Sequence, residues 1–323
     1  MSDLAAVEAA AERLGGHARV TPMLSSPFLD EIAGRRVLVK AECLQKTGSF
    51  KYRGARSALS ALDPGAARQG VLAMSSGNHA QGVALAAREL GIAATILMPA
   101  DAPRLKLDNT AALGAEVVTY DRETADRDTL GRAIAEERGL TLIPPFDHRE
   151  VIAGQGTAGL EIARQAAEAG VEAAEVLVCC GGGGLSAGIA LALEARAPGL
   201  QVRTVEPEGF DDVARSLVAG RRLSNDRTTG SAADAILTPA PGELTFPVLR
   251  RLAGPGLAVT DAEAFRAMAA AFLRLKIVLE PGGAVALAAA LFRPGASRGD
   301  AVIAVATGGN VDPDVFAHAL GTL

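Results

Sequence analysis

Glu175-Val176-Leu177-Val178-Cys179-Cys180-Gly181-Gly182-Gly183-Gly184-Leu185 carries an apolar, β-branched run straight into four glycines and then into an Ala- and Leu-rich stretch of helical period. A short apolar run bounded by glycine reads as a buried strand, so the segment predicts a strand, a tight turn and a helix. Four consecutive glycines lose much conformational entropy on folding, a cost that a merely tight turn does not require. The turn instead presents several backbone N–H groups and a helix N-terminus to one point, which favours a bound phosphate.

The same alternation extends in both directions. Strands are predicted at Val37 to Lys40, Val71 to Met74, Ala94 to Met98, Glu116 to Thr119, Leu140 to Ile143, Glu175 to Cys179, Gln201 to Val205 and Ala301 to Ala306, with helices in most intervals. Strands alternating with helices are the signature of parallel α/β structure. A first helix, Ser2 to Leu14, puts Leu4, Val7, Ala11 and Leu14 on one face and stops at Gly15-Gly16. At roughly 150 residues per domain, 323 residues suggest two domains. Loop-rich sequence around Asp63 to Gly70 and Pro144 to Arg149 brackets a compact segment that reads as a smaller inserted domain. Residues 207 to 256, rich in Pro, Gly, Asp and Thr, read as an excursion from the sheet.

Composition narrows the function classes. The 32 Lys and Arg against 37 Asp and Glu leave a net charge of −5, and Trp is absent, so neither phosphate-backbone attraction nor base stacking argues for nucleic acid. Apolar runs such as Ala284 to Phe292 fall well short of the roughly 20 residues that span a bilayer. Cys43, Cys179 and Cys180 form neither a disulfide framework nor a C-x-x-C metal pattern, and the chain opens on Ser2 and Asp3 rather than a basic segment. A soluble, cytoplasmic protein is expected.

Three further segments bear on chemistry. Gly182, Gly184 and Ala187 also fit G-x-G-x-x-A, with Glu206 ending a later strand, which mimics a dinucleotide fingerprint and keeps a nicotinamide-dependent oxidoreductase as a rival. Lys51, in Lys46-Thr47-Gly48-Ser49-Phe50-Lys51-Tyr52-Arg53, sits at a predicted helix start, where the macrodipole disfavours its cation and eases access to the neutral nucleophile. Ser75-Ser76-Gly77-Asn78-His79-Ala80-Gln81 lies between a strand and a helix; its hydroxyls, amide and N–H groups suit a carboxylate, or Ser76 or Asn78 caps the helix.

Together these segments resemble the fold-type II pyridoxal-phosphate enzymes, specifically the serine/threonine dehydratase and serine racemase branch. The resemblance covers nearly the whole chain and includes Val151-Ile152-Ala153-Gly154-Gln155-Gly156-Thr157, Glu280-Pro281-Gly282-Gly283-Ala284 and Thr307-Gly308-Gly309-Asn310-Val311-Asp312, in family order. It implies the α/β, tryptophan synthase β-like fold, with two parallel-sheet domains and the cofactor between them. Residues 1–66 and 148–323 would form the large cofactor-binding domain and 67–147 the small substrate-loop domain.

The resemblance further implies residue roles. Lys51 holds pyridoxal 5'-phosphate as a Schiff base and moves the substrate α-proton; Phe50 lies beside the ring, and Asn78 bonds the ring hydroxyl oxygen. Gly181, Gly182, Gly183, Gly184 and Leu185 hold the phosphate, while Ser75, Ser76, Gly77, Asn78 and His79 hold the substrate carboxylate. Thr307 faces the pyridine nitrogen, where a neutral hydroxyl does not enforce a pyridinium and so suits fast β-elimination. Ser76 matches the position that serves the opposite face of the α-carbon in racemising members. Glu206, Phe210 and Asp212 match a divalent-cation site for Mg²⁺ or Ca²⁺, against the alternative of an exposed acidic loop.

Arg127, on a helix starting near Arg122, matches an arginine of members that act on or are inhibited by dicarboxylates, against a solvated face shared with Asp126 and Asp128. Two departures stand out: Asp234-Ala235 replaces the frequent Asp-Gly, and Phe146 resembles the dehydratases rather than the racemases, while Leu237 to Phe246 is likewise unlike the best-known racemases. The reaction implied is β-elimination of an L-β-hydroxy amino acid such as L-threonine or L-serine to a 2-oxo acid and ammonia. The alternatives are 3-hydroxyaspartate dehydratase and serine racemase, and a non-catalytic ligand-binding role is the third class. A homodimer is expected, with the first helix and the 207 to 256 excursion as its surfaces, and no C-terminal regulatory domain is expected past Asp312.

Overall fold

The computed structural model describes residues 3–322 apart from 103, 122, 294 and 296–298. Its strands are β1 (Met23–Ser25), β2 (Arg36–Lys40), β3 (Val71–Met74), β4 (Ala94–Pro99), β5 (Glu116–Tyr120), β6 (Thr141–Leu142), β7 (Ala174–Cys179), β8 (Leu200–Pro207), β9 (Leu257–Val259) and β10 (Ala301–Val305). They form a larger sheet in the order β1-β2-β10-β7-β8-β9 and a smaller one in the order β5-β4-β3-β6. Every pairing is parallel except β1 with β2.

All eight expected strands are present, though Leu140 to Ile143 contracts to the two residues that pair with Val71 and Leu72. The additional strands, β1 and β9, have three residues each, too few for alternation to register in the sequence.

Side-chain alternation explains the layers. Val37, Val39, Leu177, Val302 and Ala304 pack on one face of the larger sheet with helices Pro27–Ala33, Asp261–Leu275 and Pro281–Phe292. Leu38, Val176, Val178, Ile303 and Val305 face the other way, onto helices Arg149–Glu168 and Gly184–Arg196. Burial on both faces is why these strands read as continuous apolar runs. Helix Pro281–Phe292 is apolar all round because its residues 281–291 are all buried.

In the smaller sheet, Val71, Ala73, Ile96 and Met98 pack against Tyr52, Ala55 and Leu59 of helix Lys51–Ser60 and Val83, Ala84 and Ala87 of helix Asn78–Leu90. Leu72 and Leu97 cover the opposite face with Ile134 of helix Arg127–Arg138.

The first helix runs Leu4–Leu14, and Ser2 lies outside the described residues. Its buried residues are Val7, Ala10 and Leu14; Leu4 and Ala11 fall at the edge of the face and are half-buried. That face docks on Ala153 of helix Arg149–Glu168, so the apolar stripe of the first helix is covered within the chain itself. The excursion carries helices Asp212–Ala219 and Thr245–Leu252 and returns to the sheet as β9. Among the described residues, no helix is long and apolar enough to cross a membrane.

A buried ion cluster ties the layers together. Arg53 donates to Glu42 at 2.8 Å and to Glu161 at 2.7 Å, and Lys40 also donates to Glu161. Helix Lys51–Ser60 is thereby fixed to the end of β2 and to helix Arg149–Glu168 through groups that satisfy one another away from water.

Candidate active site

Parallel strands deliver the loops after β3, β6, β7 and β10 to the same side, and those loops meet in a cavity of about 270 Å³. Lys51 enters it as the first residue of its helix. Its Nζ donates to the Pro145 carbonyl at 3.0 Å and lies 5.2 Å from the Phe50 ring centre. Burial pulls the ammonium down to about 8, against the opposing charge of Glu280. A half-neutral amine near pH 8 is a usable nucleophile and base.

Opposite Lys51 lies the glycine turn. Among the described residues, no acceptor is found for the amides of Gly181 through Leu185. Two buried hydroxyls beside the turn, Ser186 Oγ and Thr238 Oγ1, also lack partners. Gly183 has φ +90, open to glycine and strained for other residues. A Cβ on Gly182 would collide with the Phe146 ring. Unpaired donors are costly to bury unless something fills the cup, and a phosphate supplies the acceptors.

The third wall is the turn after β3. Helix Asn78–Leu90 starts at Asn78 with Gly77 as its cap and no side-chain capping bond, so neither Ser76 nor Asn78 serves as a cap. Ser75 Oγ accepts from Gly77 N–H at 3.2 Å, and Ser76 lines the cavity. Asn78 Nδ2 donates to Glu280 Oε1 at 2.6 Å while its Oδ1 accepts from Asn310 Nδ2 at 2.7 Å. Asn310 also donates to the Thr47 carbonyl at 2.7 Å. His79 bonds through Nε2 to the Ile143 carbonyl at 2.8 Å, and burial, then the nearby Lys51 charge, takes it down to about 3. The imidazole is therefore neutral and engaged, leaving backbone N–H groups and Ser hydroxyls for an anion. Buried Thr307 lines the same cavity.

The profile of the family described as "Pyridoxal-phosphate dependent enzyme" matches residues 14–308. The chain belongs to this family. The pyridoxal-phosphate dependent relatives include the L-threo-3-hydroxyaspartate ammonia-lyase of Pseudomonas sp, 45% identical over 311 residues and covered to 96% on both sides. The serine racemase of Schizosaccharomyces pombe is 40% identical over 314 residues, 97% of this chain and 96% of that one. Among solved structures, the T.th. threonine deaminase superposes with a TM-score of 0.90 at 46% identity, covering 96% of this chain and 99% of that chain. The fold is that of the fold-type II pyridoxal-phosphate dependent enzymes, and the amine, the donor cup and the paired Asn78 fit that cofactor's aldehyde, phosphate and ring hydroxyl.

The dinucleotide alternative fails on the same geometry. Glu206, which would have to grip a ribose, is buried at the end of β8 and accepts the amides of Val213 and Ala214 at 2.9 and 2.8 Å.

Arg127 reaches the cavity rim but begins its helix rather than sitting inside one; Asp126 is the cap, and Arg122 lies outside the described residues. Its Nε donates to Asp128 at 2.9 Å. Lys106, which has no sequence signal, also lines the cavity and has no salt-bridge partner among the described residues.

Glu206, Phe210 and Asp212 do come together at the end of β8, and not as an exposed loop: all three are buried. Burial pushes the Glu206 carboxyl well up and Asp212 up to about 6. Asp212 Oδ1 accepts from Asn225 at 2.6 Å, but Oδ2 is buried without a partner. Among the described residues, no group of three or more His, Cys, Asp and Glu comes together in a way that could hold a metal ion.

Ala235 needs no glycine, since the only non-glycine residues with positive φ among those described are Thr47 and Lys276. Glu280, Asn310, Thr238 and Ser186 are site residues to which the sequence assigned no role. The first two lie in glycine-rich motifs, a signal that marks position but not function. Burial pushes Glu280 up to about 7, with Asn78 pulling it down.

Proposed function

We propose that this pyridoxal-phosphate dependent enzyme is an ammonia-lyase that removes water from an L-β-hydroxy amino acid bearing a second carboxylate, L-threo-3-hydroxyaspartate. Bound pyridoxal phosphate supplies the electron sink for the bonds at Cα. Lys51 would take the α-proton on Nζ, the Ser75–Asn78 turn would hold the α-carboxylate through N–H and hydroxyl donors, and Thr307 would offer its neutral hydroxyl to the ring. Ser76 lines the cavity, and its match to the position that serves the other face of Cα in racemising members supports a racemising side reaction.

The observation that carries the substrate reading is the pair of cations, Lys106 and Arg127, lining a cavity otherwise suited to one carboxylate. A distal carboxylate gives Lys106 a partner and offers Arg127 a second one beside Asp128, whereas the methyl of threonine or the bare Cβ of serine offers neither cation an acceptor. The names of the Pseudomonas and Saccharomyces cerevisiae relatives, 45% and 39% identical, support it. Elimination from L-threonine or L-serine is the second reading, supported by Phe146 and by the likeness to threonine deaminase. Release of 2-oxo acid from L-threo-3-hydroxyaspartate, L-threonine and L-serine decides between them. The highest kcat/KM should be for hydroxyaspartate, and Lys106→Met or Arg127→Gln should reverse the order by raising KM for the dicarboxylate alone; turnover of none of the three refutes the lyase reading.

Glu206, Asp212 and the Phe210 carbonyl are read as holding a Mg²⁺ or Ca²⁺ ion, supported by two buried carboxylates and an orphaned Asp212 oxygen. Residues 67–147 are read as a small domain inserted between 1–66 and 148–323, and the assembly as a cytoplasmic homodimer.

A further inference from the structure

The chain returns from β6 to helix Arg149–Glu168 through Pro144-Pro145-Phe146-Asp147-His148, and two neighbours in that return hold the glycine turn from different sides. Phe146 does so directly: its ring lies on Gly182, and its backbone lies 3.0 Å from the Cβ that Gly184 lacks. Asp147 does so at one remove. Its two carboxylate oxygens accept the consecutive amides of Glu243 and Leu244, each at 2.8 Å. Those amides lead into helix Thr245–Leu252, so a carboxylate from a distant segment does the work of a cap. The fit is close, since a Cβ on Gly242 would collide with Asp147 Oδ1.

The segment held by Asp147 in turn holds the cup. Thr245 Oγ1 donates to the Gly182 carbonyl at 2.6 Å, and the Gly242 amide donates to the same oxygen at 3.1 Å. A trans peptide sets its C=O antiparallel to the following N–H. Anchoring the Gly182 carbonyl to residues 242 and 245 therefore fixes the direction of the Gly183 N–H, one of the amides left without an acceptor among the described residues.

We propose that Asp147 is a positioning residue for the cofactor phosphate: it holds residues 243–245, they hold the Gly182 carbonyl, and the carbonyl aims the donors of the cup. The inference rests on the reading that the glycine turn binds the phosphate. Asp147 is not among the residues that line the cavity, and nothing in the sequence distinguishes it from a surface carboxylate.

The test is cofactor affinity of the apoprotein, measured with pyridoxal 5'-phosphate and with pyridoxal, which lacks the phosphate, in wild type, Asp147→Asn, Asp147→Ala and Thr245→Val. Loss of a charged cap should weaken pyridoxal 5'-phosphate about tenfold in Asp147→Ala while pyridoxal changes by less than about twofold. Asp147→Asn, with one accepting oxygen left, should fall between, and Thr245→Val should give the same phosphate-selective loss. A merely structural role would lower both affinities together; that result, or no change in either, overturns the inference. A wild type that binds the two ligands equally well refutes the phosphate cup itself and the role of Asp147 with it. If Asp147→Ala does not fold, Asp147→Asn and Thr245→Val carry the comparison.

Discussion

Capture of the cofactor by apoprotein should follow an unusual pH profile set by the burial of Lys51. An ordinary lysine, at 10.5, is neutral to only about 0.03% at pH 7, whereas a group at about 8 is neutral to about 9%, a gain of about 300-fold. Between pH 7 and 8 the capture rate should rise about fivefold, and then no more than about twofold further, because half the amine is already neutral. Stopped-flow absorbance on mixing apoprotein with pyridoxal 5'-phosphate reads this directly, with free Nα-acetyl-lysine as the reference for changes in the cofactor itself. Glu280 fixes the sign of a second measurement. Its charge raises the Lys51 pKa, so Glu280→Gln should move the midpoint below that of wild type. Disruption that merely admits water would move it up toward 10.5. A rate that keeps climbing about tenfold per pH unit beyond pH 9 would refute the buried, half-neutral amine.

Ser76→Ala should cost racemisation and D-isomer elimination at least about tenfold while L-isomer elimination persists, as read by chiral chromatography of recovered substrate; equal losses would place Ser76 in substrate binding. Arg53→Met strands Glu42 without its guanidinium and should cost about 3–5 kcal/mol in denaturant unfolding, so a change below about 1 kcal/mol would show the cluster to be dispensable. Mg²⁺ or Ca²⁺ at about 100 times its Kd should stabilise the fold by about 2.7 kcal/mol, an effect that Glu206→Gln with Asp212→Asn removes; identical melting in chelator and in cation would refute the site.

Much of the fold is legible because its strands are buried on both faces. Val37 to Lys40 and Ala301 to Ala306 are nearly all apolar, and glycines mark where many elements turn. The segments around Lys51, Asn78 and the glycine turn are conspicuous for a related reason, since each sits at a junction between elements where local sequence shapes the backbone, while the roles of Lys51 and Asn78 toward the cofactor are what the family resemblance implies. What is missing acts across the chain. Asn78 meets Glu280 across 202 positions, and Asp147 meets Leu244 across 97, so neither pairing leaves a trace in its own neighbourhood. Arg127 falls at the start of its helix because the Asp126 cap, not an apolar period, decides where that helix begins. The short strands β1 and β9 exist only because a longer neighbour offers them an edge.

The Arg53 cluster bears on how the chain is made. Its members lie at 40, 42, 53 and 161, so during synthesis Arg53 and Glu42 leave the ribosome well before Glu161 and the helix that carries it. Until then helix Lys51–Ser60 can bury its apolar side against the smaller sheet, but its charged side has an incomplete set of partners and stays better hydrated than packed. The nascent N-terminal half should therefore remain protease-sensitive around residues 40–60 and gain protection only once the Arg149–Glu168 helix has cleared the exit tunnel. Fragments ending before Glu161 are accordingly the ones a cell has most reason to hand to its chaperones.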